Sequence, residues 1–229
     1  NLQSLRVVDL LEQRYADFDG LNLTFESREG ILKHCSIKNA KNLGAIGERF
    51  IKKQQPSLEA QLVNYADEIA YNNHDIDDGY RSGVIKFKAL MDVPLFKECA
   101  ELVKEDYSDI DEVRWLHETI RRIMYKLIFD ICETSSKNLA ESKPKTIDEV
   151  RILPKLINLS EEMAQRQIEL KQFLRCFLYE HERVVEMTHN AKEIIKDLFL
   201  YFMNDPSLMP KSYQNNSKQD LARAVADYL

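Results

Sequence analysis

Apolar residues recur at helical spacing along most of the chain. Val113, Leu116, Ile120, Ile123, Leu127 and Ile131 repeat every three or four positions and predict the longest helix, from Ile110 to about Thr134. Leu5, Val8, Leu10 and Leu11 predict an opening helix that ends near Tyr15, followed by a turn around Asp19-Gly20. Leu23 to Cys35 reads as a helix with Thr24 as its cap, and residues 80–91 as a short one. Pro94 starts a helix through about Tyr107. Ser160 to Leu178, Arg183 to Asn204 and Ser217 to Leu229 are three more, with Asp205-Pro206 and Met209-Pro210 as breakers. Two polar stretches, 36–55 and 135–145, read as loops, and 147–159 as an irregular segment with room for a short extended piece. The pattern predicts an all-α protein, a multi-helix orthogonal array with no internal repeat.

The segment 55–79 departs from an ordinary amphipathic helix. Pro56, Ser57 and Glu59 are start signals and Gly79 is a stop signal. At about 100° per residue, Leu58, Leu62, Tyr65, Ile69 and Ile76 share one stripe. Ala60, Val63, Asp67, Ala70, Tyr71, His74 and Asp78 lie opposite, with Asp75 at the margin. This second face mixes small apolar residues with acids, a phenol and an imidazole, which predicts a helix buried on both sides. Asp67, Tyr71 and Asp75 stack on successive turns, and a carboxylate, a phenol and a second carboxylate in a row can hold a metal ion and a hydroxylated ligand. The plain alternative is a wet helix face.

Composition narrows the class. The chain has 229 residues, 44% of them hydrophobic and 31% charged, as in a soluble globular protein of one large or two small domains. A net charge of -6 gives no indication of nucleic-acid binding through bulk charge. Cys35, Cys99, Cys132 and Cys176 show no metal-ligand spacing and, lying among apolar residues, read as buried reduced thiols. No apolar run reaches the ~18 residues of a membrane span, and no signal peptide is expected. The expectation is a cytoplasmic protein without a membrane partner. The start at Asn1 rather than Met predicts that a segment precedes it.

Residues 66–79, Ala-Asp-Glu-Ile-Ala-Tyr-Asn-Asn-His-Asp-Ile-Asp-Asp-Gly, resemble the signature of deoxyguanosine triphosphate triphosphohydrolases of the HD superfamily. Other matching blocks follow in order: Gln3 to Arg6, Asp19 to Thr24, Arg28 to Ile31, Leu170-Lys171, Tyr179 to His181, and Arg223 to Tyr228. The resemblance covers nearly the whole chain and is identified with the C-terminal portion of that family. It implies an HD-domain-like array, with residues 1–92 as the later part of the catalytic core and 93–229 as a helical region that completes the nucleotide pocket and makes oligomer contacts.

The resemblance also implies site roles. Asp67 matches the last carboxylate of the family's metal site, which would hold a divalent ion such as magnesium, manganese or another transition metal. The remaining metal ligands and the catalytic residues are expected before Asn1, so none is assigned within this chain. His74-Asp75 is an HD dipeptide by letter only: neighbours on a helix point about 100° apart, and the family's metal-binding pair lies upstream. By resemblance Tyr71 packs on the sugar and crowds its 2′ position, and Asp75 accepts from the 3′ hydroxyl. Lys171 meets the triphosphate, and Tyr179 and His181 line the nucleoside pocket. From spacing alone Lys171 reads as a solvated helix lysine, Tyr179 as a core aromatic and His181 as a partner of a helix C-terminal dipole. One departure is Glu68, where a vertebrate relative carries a lysine against phosphate; triphosphate contacts must therefore differ here. The implied activity is metal-dependent hydrolysis of a deoxynucleoside triphosphate to deoxynucleoside and inorganic tripolyphosphate, in a homo-oligomer. Two other readings stay open: an HD phosphohydrolase acting on another phosphoester, and a non-catalytic nucleotide-binding or assembly fragment.

Overall fold

The computed structural model describes residues 2–216 and 220–229. Among them are thirteen α-helices and no strand. In chain order they are α1 (Leu2–Arg6), α2 (Phe25–Ile31), α3 (Ile37–Ala40), α4 (Ala45–Ile51), α5 (Leu58–Arg81), α6 (Phe87–Leu90) and α7 (Pro94–Asp106). There follow α8 (Glu112–Ser142), α9 (Ile147–Ile152), α10 (Glu161–Leu174), α11 (Glu182–Asn204), α12 (Lys211–Asn216) and α13 (Leu221–Tyr228). Two π-helical turns extend α1 and α10, at Val7–Leu11 and Arg175–Tyr179. The all-α class expected from the periodicity is the observed one.

The chain forms two compact units, one of residues 1–35 with 182–229 and one of residues 36–181. In the first, the ends of the chain meet. Arg6 donates from Nε to Asp227 Oδ1 at 3.0 Å and from Nη2 to Oδ2, while Gln3 Nε2 donates to Oδ1 at 2.9 Å. Burial acts to raise the Asp227 pKa, but these bonds outweigh it and hold the carboxyl below its usual range. A second forked pair joins Arg28 to Asp9, at 2.7 and 2.6 Å. Gly20 has φ +75°, and a Cβ there would stand 2.3 Å from the Asp9 carbonyl oxygen, so only glycine lets this turn close on the π-helical turn. Phe202 and Tyr213 pack around the Tyr228 ring, with centroids 5.1 and 5.3 Å away.

In the second unit α5, α7, α8 and α10 enclose the core. Ile76, Ile85, Leu90, Leu95, Phe96, Leu116, Ile123, Leu127 and Leu170 are at most 1% exposed. Trp115 lies against Phe87 with ring centroids 4.4 Å apart, and its Nε1 donates to the Ala100 carbonyl at 2.8 Å. Glu98 on α7 binds both Lys126 of α8 and Arg166 of α10. The N-terminus of α10 is doubly fixed. Ser160 Oγ accepts from Met163 N, and Asp130 of α8 accepts from Ser160 N at 2.8 Å and Ser160 Oγ at 2.6 Å. Residues 92 and 93 lie inside this unit.

Several local expectations change. Residues 36–55 hold α3 and α4, not a loop. Their lysines are solvated, but Ser36 caps α3, and Gly47 lets α4 pass so close to α3 that a Cβ would stand 1.9 Å from the Ala40 carbonyl oxygen. α8 continues through the polar stretch to Ser142 and stops where Lys143 turns left-handed at φ 47°. Residues 147–152 are helical, and no extended strand forms after them. The start of the last helix at Ser217 lies outside the described residues. Of the four thiols expected to be buried, Cys99 is buried and Cys35 half-buried, but Cys132 and Cys176 are exposed, because each falls on the outer face of its helix.

The segment before α10 is held by one side chain. Gln61 on α5 is completely buried; its Nε2 donates to the Pro56 carbonyl at 3.0 Å, and its Oε1 accepts from Leu156 N at 3.0 Å and Ile157 N at 3.2 Å. We expect Gln61→Leu to leave all three backbone groups unpaired and to lower the unfolding free energy by about 3 kcal/mol or more, measured by urea titration. A loss below about 1 kcal/mol would show that water replaces the amide.

Candidate functional site

α5 is helical because Ser57 Oγ accepts from Ala60 N at its start and no proline interrupts the next 24 residues. Its buried positions are Gln61, Ile69, Asn72, Asn73, Ile76 and Gly79. The expectation of burial on both sides is corrected: Val63 is 55% and Tyr71 58% exposed, and Asp67, His74 and Asp78 are exposed with them. Leu62, placed on the core stripe by periodicity, is exposed too. The polar face of α5 is open to solvent where α10 does not cover it.

Where α10 and its π-helical turn lie beside α5, the contacts advance together along both elements. Glu68 Oε1 accepts from Gln167 Nε2 and from Lys171 Nζ, both at 3.0 Å. Further along, the Tyr71 and Tyr179 rings are stacked with centroids 6.5 Å apart and planes 9° from parallel. Tyr179 Oη donates to Asp75 Oδ2. Glu68, Tyr71 and Asp75 are spaced i, i+3 and i+7, which is one stripe of α5.

The π-helical turn aligns the other side. In a regular helix Tyr179 would stand about 80° around the axis from Lys171, eight residues earlier. The wider turn absorbs one residue, reducing the offset to about 20° and putting phenol and ammonium on the same face. Its mark is the Glu180 N–H, which donates to the Arg175 carbonyl five residues back at 2.9 Å.

The electrostatics follow from this packing. Burial pushes the Asp75 carboxyl above its ordinary pKa, and the Tyr179 hydrogen bond and nearby His74 oppose the rise while Asp78 adds to it. Burial, and then the bond to Asp75, push the Tyr179 phenol strongly upward, so it keeps its proton and acts as a donor.

Among the sequence-derived site residues, Tyr71, Asp75 and Tyr179 converge, and Lys171 stands two turns of α10 away on the same side. Asp67 is exposed on α5 one turn before Tyr71. His181 is half-buried, two residues beyond Tyr179, and its N–H donates to the Leu178 carbonyl at 3.2 Å. No group of three or more His, Cys, Asp or Glu side chains that could hold a metal ion occurs among the described residues. Asp67 therefore belongs to no such group among the described residues. Sequence reasoning missed the Glu68–Gln167 contact; its signal is the spacing of Gln167 four residues before Lys171, on the same helical stripe.

The Asp75 environment is open to a direct check. Tyr179→Phe removes a bond that favours the carboxylate, so the proton binds more tightly and the Asp75 pKa rises further. Carboxyl-carbon NMR titration should show that rise; a fall would mean that the phenol does not stabilise the anion.

Residues 157–229 match the model of the phosphohydrolase-associated domain. A deoxyguanosinetriphosphate triphosphohydrolase-like protein of Bordetella pertussis is 51% identical over all 229 residues of the chain, which cover 60% of that relative. Relatives of the same description from Thiobacillus denitrificans and Ralstonia pickettii are 50% and 52% identical, again over the whole chain, which covers 61% and 59% of their length. The chain thus spans about 60% of the curated relatives it matches. No helix among the described residues is long and apolar enough to cross a membrane. Along its entire length, at identity of about one half, the chain is similar to the deoxyguanosinetriphosphate triphosphohydrolase-like proteins.

Proposed function

We propose that the protein hydrolyses deoxynucleoside triphosphates, dGTP or a close analogue, to a deoxynucleoside and inorganic tripolyphosphate. One observation carries the reading. The facing stripes of α5 and α10 present a carboxylate and two phenols at one end and an ammonium at the other. That order suits a sugar followed by a polyphosphate. Tyr179 uses one oxygen of Asp75, and the second oxygen can accept from a 3′ hydroxyl. The exposed Tyr71 ring covers the sugar and fills the space a 2′ hydroxyl would need. Lys171 meets phosphate as a point charge, and His181 borders the nucleoside beside Tyr179. The similarity to deoxyguanosinetriphosphate triphosphohydrolase-like proteins favours dGTP among nucleotides.

In the reaction a water oxygen bonds to the α-phosphorus, the bond from phosphorus to O5′ breaks, and a proton passes to O5′. Charge accumulates on the phosphoryl oxygens, where cations lower the barrier. We place Asp67 as one ligand of a divalent ion that needs further donors, and we propose a homo-oligomeric assembly.

Phosphorus NMR of dGTP treated with the intact protein in oxygen-18 water is the test. The reading expects tripolyphosphate carrying the label and unlabelled deoxyguanosine. Release of orthophosphate or pyrophosphate would favour another phosphohydrolase reaction. Asp75→Asn should weaken the productive complex by about 1.5–3 kcal/mol through loss of a charge-assisted bond. Tyr71→Ala should lower the ratio of kcat/KM for dGTP over GTP. If neither changes, the sugar does not bind along this face.

A further inference from the structure

We propose that Glu68 is the resident counter-ion of Lys171, a specificity-setting carboxylate that an incoming polyphosphate must displace. The inference rests on the reading of Lys171 as a phosphate contact. A single oxygen, Glu68 Oε1, takes both the Lys171 ammonium and the Gln167 amide, each at 3.0 Å. Gln167 is only 2% exposed, so its amide is a fixed donor that holds the carboxylate from the protein side. The ion pair itself faces water, with Glu68 37% and Lys171 48% exposed. Such a pair is weak and screened. A ligand of several negative charges can therefore take the lysine, whereas a small monoanion gains little over the carboxylate already present.

The surroundings leave room for this exchange. A hollow of about 210 Å³ opens beside Glu68, lined by Asn64, Tyr65, Lys155 and Gln167. Lys155 lies 4.1 Å over the Tyr65 ring, so a second cation borders the space into which the displaced carboxylate can turn. Glu68 shares its stripe of α5 with Tyr71 and Asp75, which places its charge in line with the ligand rather than beside it. With Glu68 in place, polyphosphate gains Lys171 only against the carboxylate that already holds it; the site thereby trades phosphate affinity for discrimination by charge.

Glu68→Gln keeps the side-chain shape and an acceptor for Gln167 but removes the charge. Calorimetric titration of inorganic tripolyphosphate into the intact protein, in metal-free buffer, reads the effect. Glu68→Gln should bind it about tenfold more tightly, equivalent to 1.4 kcal/mol. Lys171→Met should lose affinity, and in that background Glu68→Gln should gain much less, a coupling that a purely structural carboxylate would not show. Deoxyguanosine affinity should be the same in wild type and Glu68→Gln. Unchanged or weaker tripolyphosphate binding by Glu68→Gln, or no binding to either protein, overturns the proposal. Tripolyphosphate binding that follows the expected order without any deoxyguanosine binding would leave the counter-ion standing and refute the nucleoside reading instead.

Discussion

The buried amide of Gln61 is the constraint on which the second unit depends. It satisfies one carbonyl before α5 and two N–H groups before α10 in a place where water does not reach. Buried polar groups without partners cost more than most single apolar contacts contribute. Fixing residues 156 and 157 against α5 determines where α10 begins, and Asp130 then holds its first residue, Ser160. The register of α10 along α5, and so the meeting of Glu68 with Lys171 and of Asp75 with Tyr179, follows from those two anchors.

A single stripe of α5 thus carries two different chemistries. At one end burial makes Asp75 a weaker acid and Tyr179 a committed donor, a pair suited to hydroxyl groups. At the other end Glu68 and Lys171 remain hydrated, so their pairing costs little to break. The two ends differ in what the carboxylate meets: Asp75 takes a phenol, whereas Glu68, on the same stripe of α5, takes an ammonium and an amide.

The first unit uses charge in a third way. Asp227 is nearly buried and takes three hydrogen bonds from Gln3 and Arg6, so loss of Arg6 would strand a buried carboxylate. The residues involved belong to the first and last of the blocks that carry the family resemblance, which gives these separated blocks a physical connection.

The amino-acid pattern alone specifies the helical class, the helix from Pro94, most of the longest helix and the helix that carries Asp67, Tyr71 and Asp75. Periodicity and capping are local, and local rules suffice for elements of that length. It did not determine that residues 36–55 are helical, because a solvated lysine-rich helix and a loop have the same composition. Nor could it show that Leu62 and Tyr71 are exposed, since burial depends on which neighbour arrives. The partners of Glu68, Tyr71 and Asp75 come from packing. The π-helical turn that rotates Tyr179 toward Asp75 has no signal in residue type, and Gln167 reads as an ordinary polar residue until α5 lies against it. Those pairings join residues about a hundred positions apart, and their register is set by packing, which no local pattern encodes.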